Sequence, residues 1–186
     1  MTGALRGFDR VVIVGTSGAG KSTLSRRLSE ITHAPVVEVD GLYHRPNWTL
    51  ASIDEFRGLL ADVAAQPRWI VDGNYFASTE QLIWPRAQVI VWLDLPLPLI
   101  LLKLVRRSVR RVVRRVELWH GNTETWKALL SRQSILLWAV TSHAQHRREL
   151  PVKLVPPNLP TSATVLRFTH PREVEDWLET LRRAAA

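Results

Sequence analysis

The chain reads as an α/β domain, with a mainly parallel sheet of five strands, helices on both faces and a helical lid. Three observations predict this. Short apolar runs alternate with stretches of helical periodicity along most of the chain. Each run is apolar at nearly every position, as strands buried on both faces are, and the first four end in glycine or aspartate, where the chain must turn. The 186 residues, 46% hydrophobic and 23% charged, suit one domain over 1–186 and exclude disorder or collagen-like repetition.

Arg10 to Val14 is β-branched and ends at Gly15, and Lys21 to Ile31 carries Leu24, Leu28 and Ile31 at helical spacing, giving strand, loop and helix. Pro35 to Val39 is a second strand, stopped at Asp40-Gly41 and followed by a loop holding Tyr43, His44, Pro46, Asn47 and Trp48. Ser52 with Glu55 is a capping box opening a helix through Phe56, Leu59, Leu60 and Val63 that ends before Pro67. Trp69 to Val71, ending at Asp72-Gly73, and Gln88 to Leu93, ending at Asp94, are the third and fourth strands. Helices are expected from Leu97 to Leu118 and, after a break at His120-Gly121-Asn122, from Thr123 to His146. Pro151 to Ser162 reads as loop, Thr164 to Phe168 as the fifth strand, and Pro171 opens a last helix through Val174, Trp177, Leu178 and Leu181.

With no cysteine, the chain offers neither a disulfide framework nor a thiolate site or nucleophile, and a reducing, cytoplasmic setting is expected. Met1 to Arg10 lacks the apolar core of a signal peptide. The most apolar stretch, Val89 to Val105, is interrupted by Asp94, Pro96, Pro98 and Lys103, so no membrane span is expected. The formal net charge of +8 calls for an anionic partner: a phosphate-bearing small molecule, nucleic acid or an acidic membrane surface.

Gly15-Thr16-Ser17-Gly18-Ala19-Gly20-Lys21-Ser22 satisfies G-x-x-x-x-G-K-[ST] at every fixed position and lies between a strand and a helix, where its mechanism needs it. The glycines let main-chain amides close around a phosphate, and the helix N-terminus, running on through Thr23, points its positive dipole at the same anion. Lys21 reaches the β- and γ-phosphates of a nucleotide such as ATP or GTP, and the Ser22 hydroxyl is placed to ligate Mg²⁺.

The chain has no N-K-x-D guanine motif. Val71-Asp72-Gly73 resembles the L-D-G of adenylate kinase and other nucleoside monophosphate kinases, whose aspartate holds the metal's waters; Trp92-Leu93-Asp94-Leu95-Pro96 through Lys103 and Arg106-Arg107 is similar to their segment entering the lid. Val39-Asp40-Gly41 through Pro46-Asn47-Trp48, together with Trp69-Ile70-Val71-Asp72-Gly73-Asn74-Tyr75, looks like the adenylate-kinase-like proteins labelled DNA topology modulation (FlaR-like). The resemblance implies a single three-layer P-loop NTPase domain and an ATP- and Mg²⁺-dependent kinase, its acceptor most plausibly a nucleoside or nucleoside monophosphate. It assigns Asp72 to the metal and matches Arg107 to an arginine set on the donor phosphates.

Asp40 ends its strand at the carboxyl edge of the sheet and is placed to accept the proton of an attacking hydroxyl; Asp40-Gly41-Leu42-Tyr43 resembles the Asp-x-x-Tyr of uridine kinases. Monophosphate kinases clamp the acceptor phosphate with the arginine of an Asp-Gly-x-Pro-Arg run. Here Asp72-Gly73 is followed by Asn74, Tyr75 and Phe76, so a second phosphate would need Arg45 or a lid residue, and the departure leans toward an alcohol acceptor. Tyr43, Trp48 and Tyr75 are candidates for an aromatic wall around a flat base or sugar. His143 and His146 read as surface residues.

Between positions 103 and 115 the basic residues Lys103, Arg106, Arg107, Arg110, Arg111, Arg114 and Arg115 face away from Val105, Val109, Val112, Val113 and Val116 at about 100° per residue, predicting a two-faced helix. It is expected to bring Arg107 to the nucleotide within a lid over about 103–132, hinged near Gly121-Asn122, with Arg132 reaching inward. Two other functions fit the same residues: a nucleotide-dependent DNA-associated protein that uses this basic helix, and an ATPase whose acceptor is water.

Overall fold

The computed structural model describes residues 8–129, 134–155, 159–160 and 162–185. Its strands are β1 (Arg10–Gly15), β2 (Val36–Glu38), β3 (Trp69–Asp72), β4 (Val89–Leu93) and β5 (Thr164–Phe168), and its helices are α1 (Lys21–Thr32), α2 (Val39–Tyr43), α3 (Ile53–Ala65), α4 (Phe76–Leu82), α5 (Leu97–Val113), α6 (Trp126–Leu129), α7 (Ile135–Lys153) and α8 (Pro171–Ala185). The strands form one sheet in the order β2-β3-β1-β4-β5, with every neighbouring pair parallel. β1 is central. The chain leaves it toward β2 on one side and later crosses to β4 on the other, so the strand order reverses beside its carboxyl end, where open α/β sheets bind ligands.

Side chains alternate across the sheet as the period of two demands. Val12, Val14, Val71, Ile90 and Trp92 point to one face and pack with Val39, Phe56, Leu60, Trp84 and Leu150; Val11, Ile13, Ile70, Val91 and Leu93 point to the other and pack with Leu24, Leu28, Ile100, Leu178 and Leu181. Ser52 caps α3 as expected, its Oγ accepting from Glu55 N at 3.2 Å. No helix among the described residues is long and apolar enough to cross a membrane.

Several helical expectations need correction. β2 stops at Glu38, so Asp40, expected to end that strand, lies inside the short helix α2, as does Tyr43, expected in a loop. α4 was not anticipated. α5 stops at Val113 instead of Leu118, because Arg115 takes a left-handed conformation (φ 47°) and Glu117 then pairs with Thr123 in an antiparallel bridge. The expected helix from Thr123 to His146 divides into α6 and α7; Arg132 lies outside the described residues. α7 also continues through Pro151 to Lys153, held by burial of Leu150 and Leu154 in the core and by Lys153 Nζ at 2.7 Å from Glu80.

The buried stripe of α5 is not the valine arc. Val105, Val109 and Val113 are 40%, 37% and 66% exposed, whereas Ile100, Leu104 and Ser108, four residues apart, are buried. That row lies against the loop after β1: a Cβ placed on Gly18 would come within 3.0 Å of Ile100 O and Leu104 Cβ. Arg107 and Arg111, beside the buried row, are thereby turned partly inward.

Gly73 follows β3 with φ +155°, and a Cβ there would sit 2.6 Å from Val39 Cβ at the start of α2. The close approach brings the ends of β2 and β3 together and thereby aligns the carboxylates they carry. Gly73→Ala is expected to lower stability by about 3 kcal/mol through overpacking and backbone strain. Urea unfolding followed by circular dichroism checks this, and an unchanged midpoint contradicts it.

Candidate active site

The loop after β1 is built to leave amides open. Gly15, Gly18 and Gly20 take φ of 145°, 88° and 101°, a region costly for any residue with a Cβ. Gly20 caps α1 from a left-handed conformation and no side chain caps the helix, so its first-turn N–H groups have no side-chain acceptor. Asn74 holds the loop from β3: its Oδ1 accepts from Gly15 N at 3.0 Å and its Nδ2 donates to Gly15 O at 2.8 Å. Lys21 Nζ donates to the same carbonyl at 2.9 Å, which bends the side chain back over the loop.

Asp72 closes the far side. It is buried, and that burial raises its carboxyl above the ordinary carboxylate range; Lys21 and a hydrogen bond from Ser22 pull it down, while Asp40 and Glu38 push it up again. An oxygen pair from the buried Asp72 and the part-exposed Ser22, under the field of two further carboxylates, is a donor set that suits a hard dication such as Mg²⁺.

Two cavities meet at this point. One, of about 730 Å³, runs along Gly18, Ala19, Gly20 and Thr23 toward Pro171 and the basic face of α5. The other, of about 1800 Å³, contains Ser17, Asp40, Asp72, Gly73, Tyr75 and Trp48 in its walls. Lys21, Ser22, Arg26, Arg107 and Arg111 line both and form the partition. Burial, and next Arg111, lower the affinity of the Arg107 guanidinium for its proton, with Glu124, Asp40 and Asp72 opposing. Arg107 Nε is buried without a hydrogen-bond partner, a donor available to an oxyanion at the partition.

On the larger cavity's floor Asp40 Oδ1 accepts from the Tyr75 hydroxyl at 2.8 Å. Burial and then the Asp40 charge push the Tyr75 phenol well above its usual range, so it stays a donor. The three aromatic candidates do not form one wall. Tyr43 turns into the core against Phe56 (centroids 5.1 Å apart) and Tyr75 (4.9 Å), because its place in α2 faces α3. Arg45 pairs with Glu55 on the exposed first turn of α3 and is absent from the cavity lining. Trp48 does line the cavity, with its indole N–H donating to Thr123 O at 3.3 Å.

The segment after α5 supplies residues that sequence reasoning missed. Trp119 Nε1 donates to Glu38 Oε2 at 2.8 Å, His120 Nε2 lies 3.1 Å from Gly41 O, and Asn122, almost fully buried, bonds Trp48 N, Arg45 O and Trp119 O at 2.9 Å each. The expected hinge at Gly121-Asn122 is thus docked against the wall of the larger cavity. His143 and His146 are buried, not on the surface. His143 Nδ1 is 3.3 Å from Thr16 Oγ1, and His146 lines the larger cavity near Lys21. Their signal was the row Ala139, Ser142/His143, His146 and Leu150, an inward helical stripe with polar members. Asp94 organises the end of β4, paired with Arg147 at 3.1 Å and Arg167 at 2.5 Å.

No protein-family model matches the chain, and no curated protein matches it by sequence. Solved structures do match in shape. A shikimate kinase from Acinetobacter baumannii in complex with shikimate superposes with TM-score 0.54 at 17% identity, covering 97% of this chain and 94% of that one. A sugar kinase from a Janibacter species gives 0.51 at 16% identity over 96% and 99%. A gluconokinase from Sinorhizobium meliloti gives 0.50 at 16% identity over 95% and 88%. The chain has the α/β fold of these P-loop kinases.

Burial, and then Lys21, lower the His146 pKa from 6.5 to about 4. The unfolded chain therefore takes up this proton first, and stability falls as the pH drops through that interval. His146→Gln is expected to flatten the fall in thermal midpoint between about pH 6.5 and pH 4. An unaltered pH profile contradicts this.

Proposed function

We propose that the chain transfers the terminal phosphoryl group of ATP, as its Mg²⁺ complex, to a hydroxyl of a small acceptor. One observation carries this reading: the two cavities are divided by Lys21, Ser22 and Arg107, with Asp40 on the far side. A triphosphate held by the loop from the smaller cavity presents its last phosphate at that partition, and an acceptor in the larger one approaches from the opposite direction. The kinase neighbours support phosphotransfer to a small molecule.

Each residue then has a task. The loop amides and Lys21 bind the β- and γ-phosphates, and Arg107 donates to the transferring group. Ser22 and Asp72 would hold Mg²⁺, whose charge would offset that of the phosphate oxygens. Asp40, oriented by Tyr75, takes the proton as the acceptor oxygen bonds to the γ-phosphorus and the bond to the bridging oxygen breaks, leaving ADP. Of the two acceptors expected from sequence, a nucleoside suits the site better than a monophosphate, because Arg45 is committed to Glu55. GTP in place of ATP is accommodated by the same loop.

The DNA-associated reading rests on the exposed Arg110, Arg114 and Arg115 of the basic segment. Arg106 and Arg110 line the smaller cavity and Arg111 pairs with Glu124 at 2.7 Å, which places much of that charge beside the donor site. A steep salt dependence of DNA binding that disappears when Arg110, Arg111, Arg114 and Arg115 are neutralised would favour it. An ATPase would release ADP at a rate independent of any acceptor.

ADP release with Mg²⁺ and a panel of nucleosides and monophosphates tests the proposal. Lys21→Ala is expected to abolish turnover with the circular dichroism spectrum intact, and Asp40→Asn to lower acceptor-dependent kcat by about 10²-fold or more. Wild-type rates in Lys21→Ala contradict phosphotransfer at this loop; wild-type rates in Asp40→Asn return Asp40 to a structural role.

A further inference from the structure

Charge is divided sharply between the two cavities. The smaller one is lined by eight cations, Lys21 and Lys103 among them, against Glu175 alone, and Glu175 is held by Arg27 at 2.5 Å. The larger one is lined by Glu38, Asp40, Asp72, Glu117 and Glu124. All four of its cations, Lys21, Arg26, Arg107 and Arg111, belong to the partition, where the donor phosphates would occupy them. Beyond the partition, no described Lys or Arg lines the acceptor end.

Glu124 is paired with Arg111 at 2.7 Å, whereas Glu38 and Asp40 have neutral partners. Glu38 accepts from the Trp119 indole N–H and Asp40 from the Tyr75 hydroxyl, each at 2.8 Å, and neither donor cancels a charge. Asp72 feels both of them as repulsive neighbours. Aromatic rings stand over the same space: His44 is stacked with Trp119 (centroids 6.1 Å, interplanar angle 18°) and edge-on to Trp48 (5.4 Å). Trp119 in turn lies on Gly41, where a Cβ would meet its Cδ1 at 2.7 Å. Carboxylates beside aromatic faces attract a cation and repel an anion.

Resting on the phosphotransfer reading above, we propose that the acceptor is a hydroxyl compound bearing a protonated amine, with Glu38 and the Trp119 ring recognising the amine while Asp40 faces the hydroxyl. A carboxylate- or phosphate-bearing acceptor would set a like charge against Glu38 and Asp40, and outside the partition no described Lys or Arg lines the cavity to offset it.

The test uses the full chain saturated with Mg²⁺ and a non-hydrolysable ATP analogue, titrated at neutral pH with acceptors matched on one skeleton. The sets are D-glucamine, D-glucitol and D-gluconate, and 3′-amino-3′-deoxyadenosine, adenosine and AMP. In at least one set the amine is expected to bind about tenfold more tightly than its neutral counterpart, and the anion more weakly than either. Glu38→Gln, whose side-chain carbonyl still accepts from Trp119, is expected to remove the advantage of the amine over its neutral counterpart. Tightest binding of an anion, no amine exceeding its neutral counterpart in either set, or an advantage that survives in Glu38→Gln overturns the proposal. The analogue is titrated alone beforehand; its failure to bind brings down the phosphotransfer reading itself, a result distinguishable from failure of the acceptor inference.

Discussion

The peptide of Gly15 is gripped on both its N–H and its C=O by the side-chain amide of Asn74, and the geometry of the carboxyl edge depends on that grip. β1 and β3 are paired through Ile13 and Asp72, and beyond that register the main chains diverge. Asn74 extends the attachment by one side chain, so the loop leaves β1 at a fixed height relative to Asp72. Gly73 and Val39 pack too tightly to admit a methyl group, which fixes α2, and with it Asp40, against the same edge. Three chain segments far apart in sequence are thereby held in register by one amide and one close contact. A loop whose amides must be preorganised for an anion gains from such rigidity, because little reorganisation is left for the moment of binding.

Electrostatics then separates the two sides of the edge. The basic residues of α5 gather on the side of the smaller cavity because its buried row is Ile100, Leu104 and Ser108, which turns Arg107 and Arg111 partly inward and leaves Val105, Val109 and Val113 exposed. The acids gather on the other side because they end strands or follow them: Glu38 closes β2, Asp40 opens α2 and Asp72 closes β3. Burial first, and then repulsion from Asp40 and Glu38, raise the Asp72 pKa, a cost that a bound dication would relieve. The site is therefore poised toward ligands that bring positive charge to Asp72 and negative charge to Arg107.

What could be read in the sequence was what is local. The strands were legible because burial on both faces makes them continuously apolar, and the phosphate loop because its ligating groups are contiguous main-chain amides. Asp72 is legible as a strand-end acid, whereas Asp40, expected at a strand end, stands in α2 just after β2. The rest depends on partners distant in the chain. The contact of Trp119 with Glu38 spans 81 residues and that of Thr16 with His143 spans 127, and no periodicity encodes either. The α5 valines misled for a related reason: β-branched residues define an apolar arc, but packing against Gly18 selected a different row. The sequence reads as loop from Pro151, yet burial of Leu150 and Leu154 on either side of that residue carries α7 onward to Lys153.

The central claim is that the Gly15–Ser22 loop holds a nucleoside triphosphate between Lys21 and the Asp72 edge. Calorimetric titration of the protein with ATP and GTP in the presence of Mg²⁺ tests it most directly. The account predicts a saturable, one-to-one binding isotherm for at least one of the two. The absence of binding heat for both, over a range of temperatures and with folded protein, would contradict it.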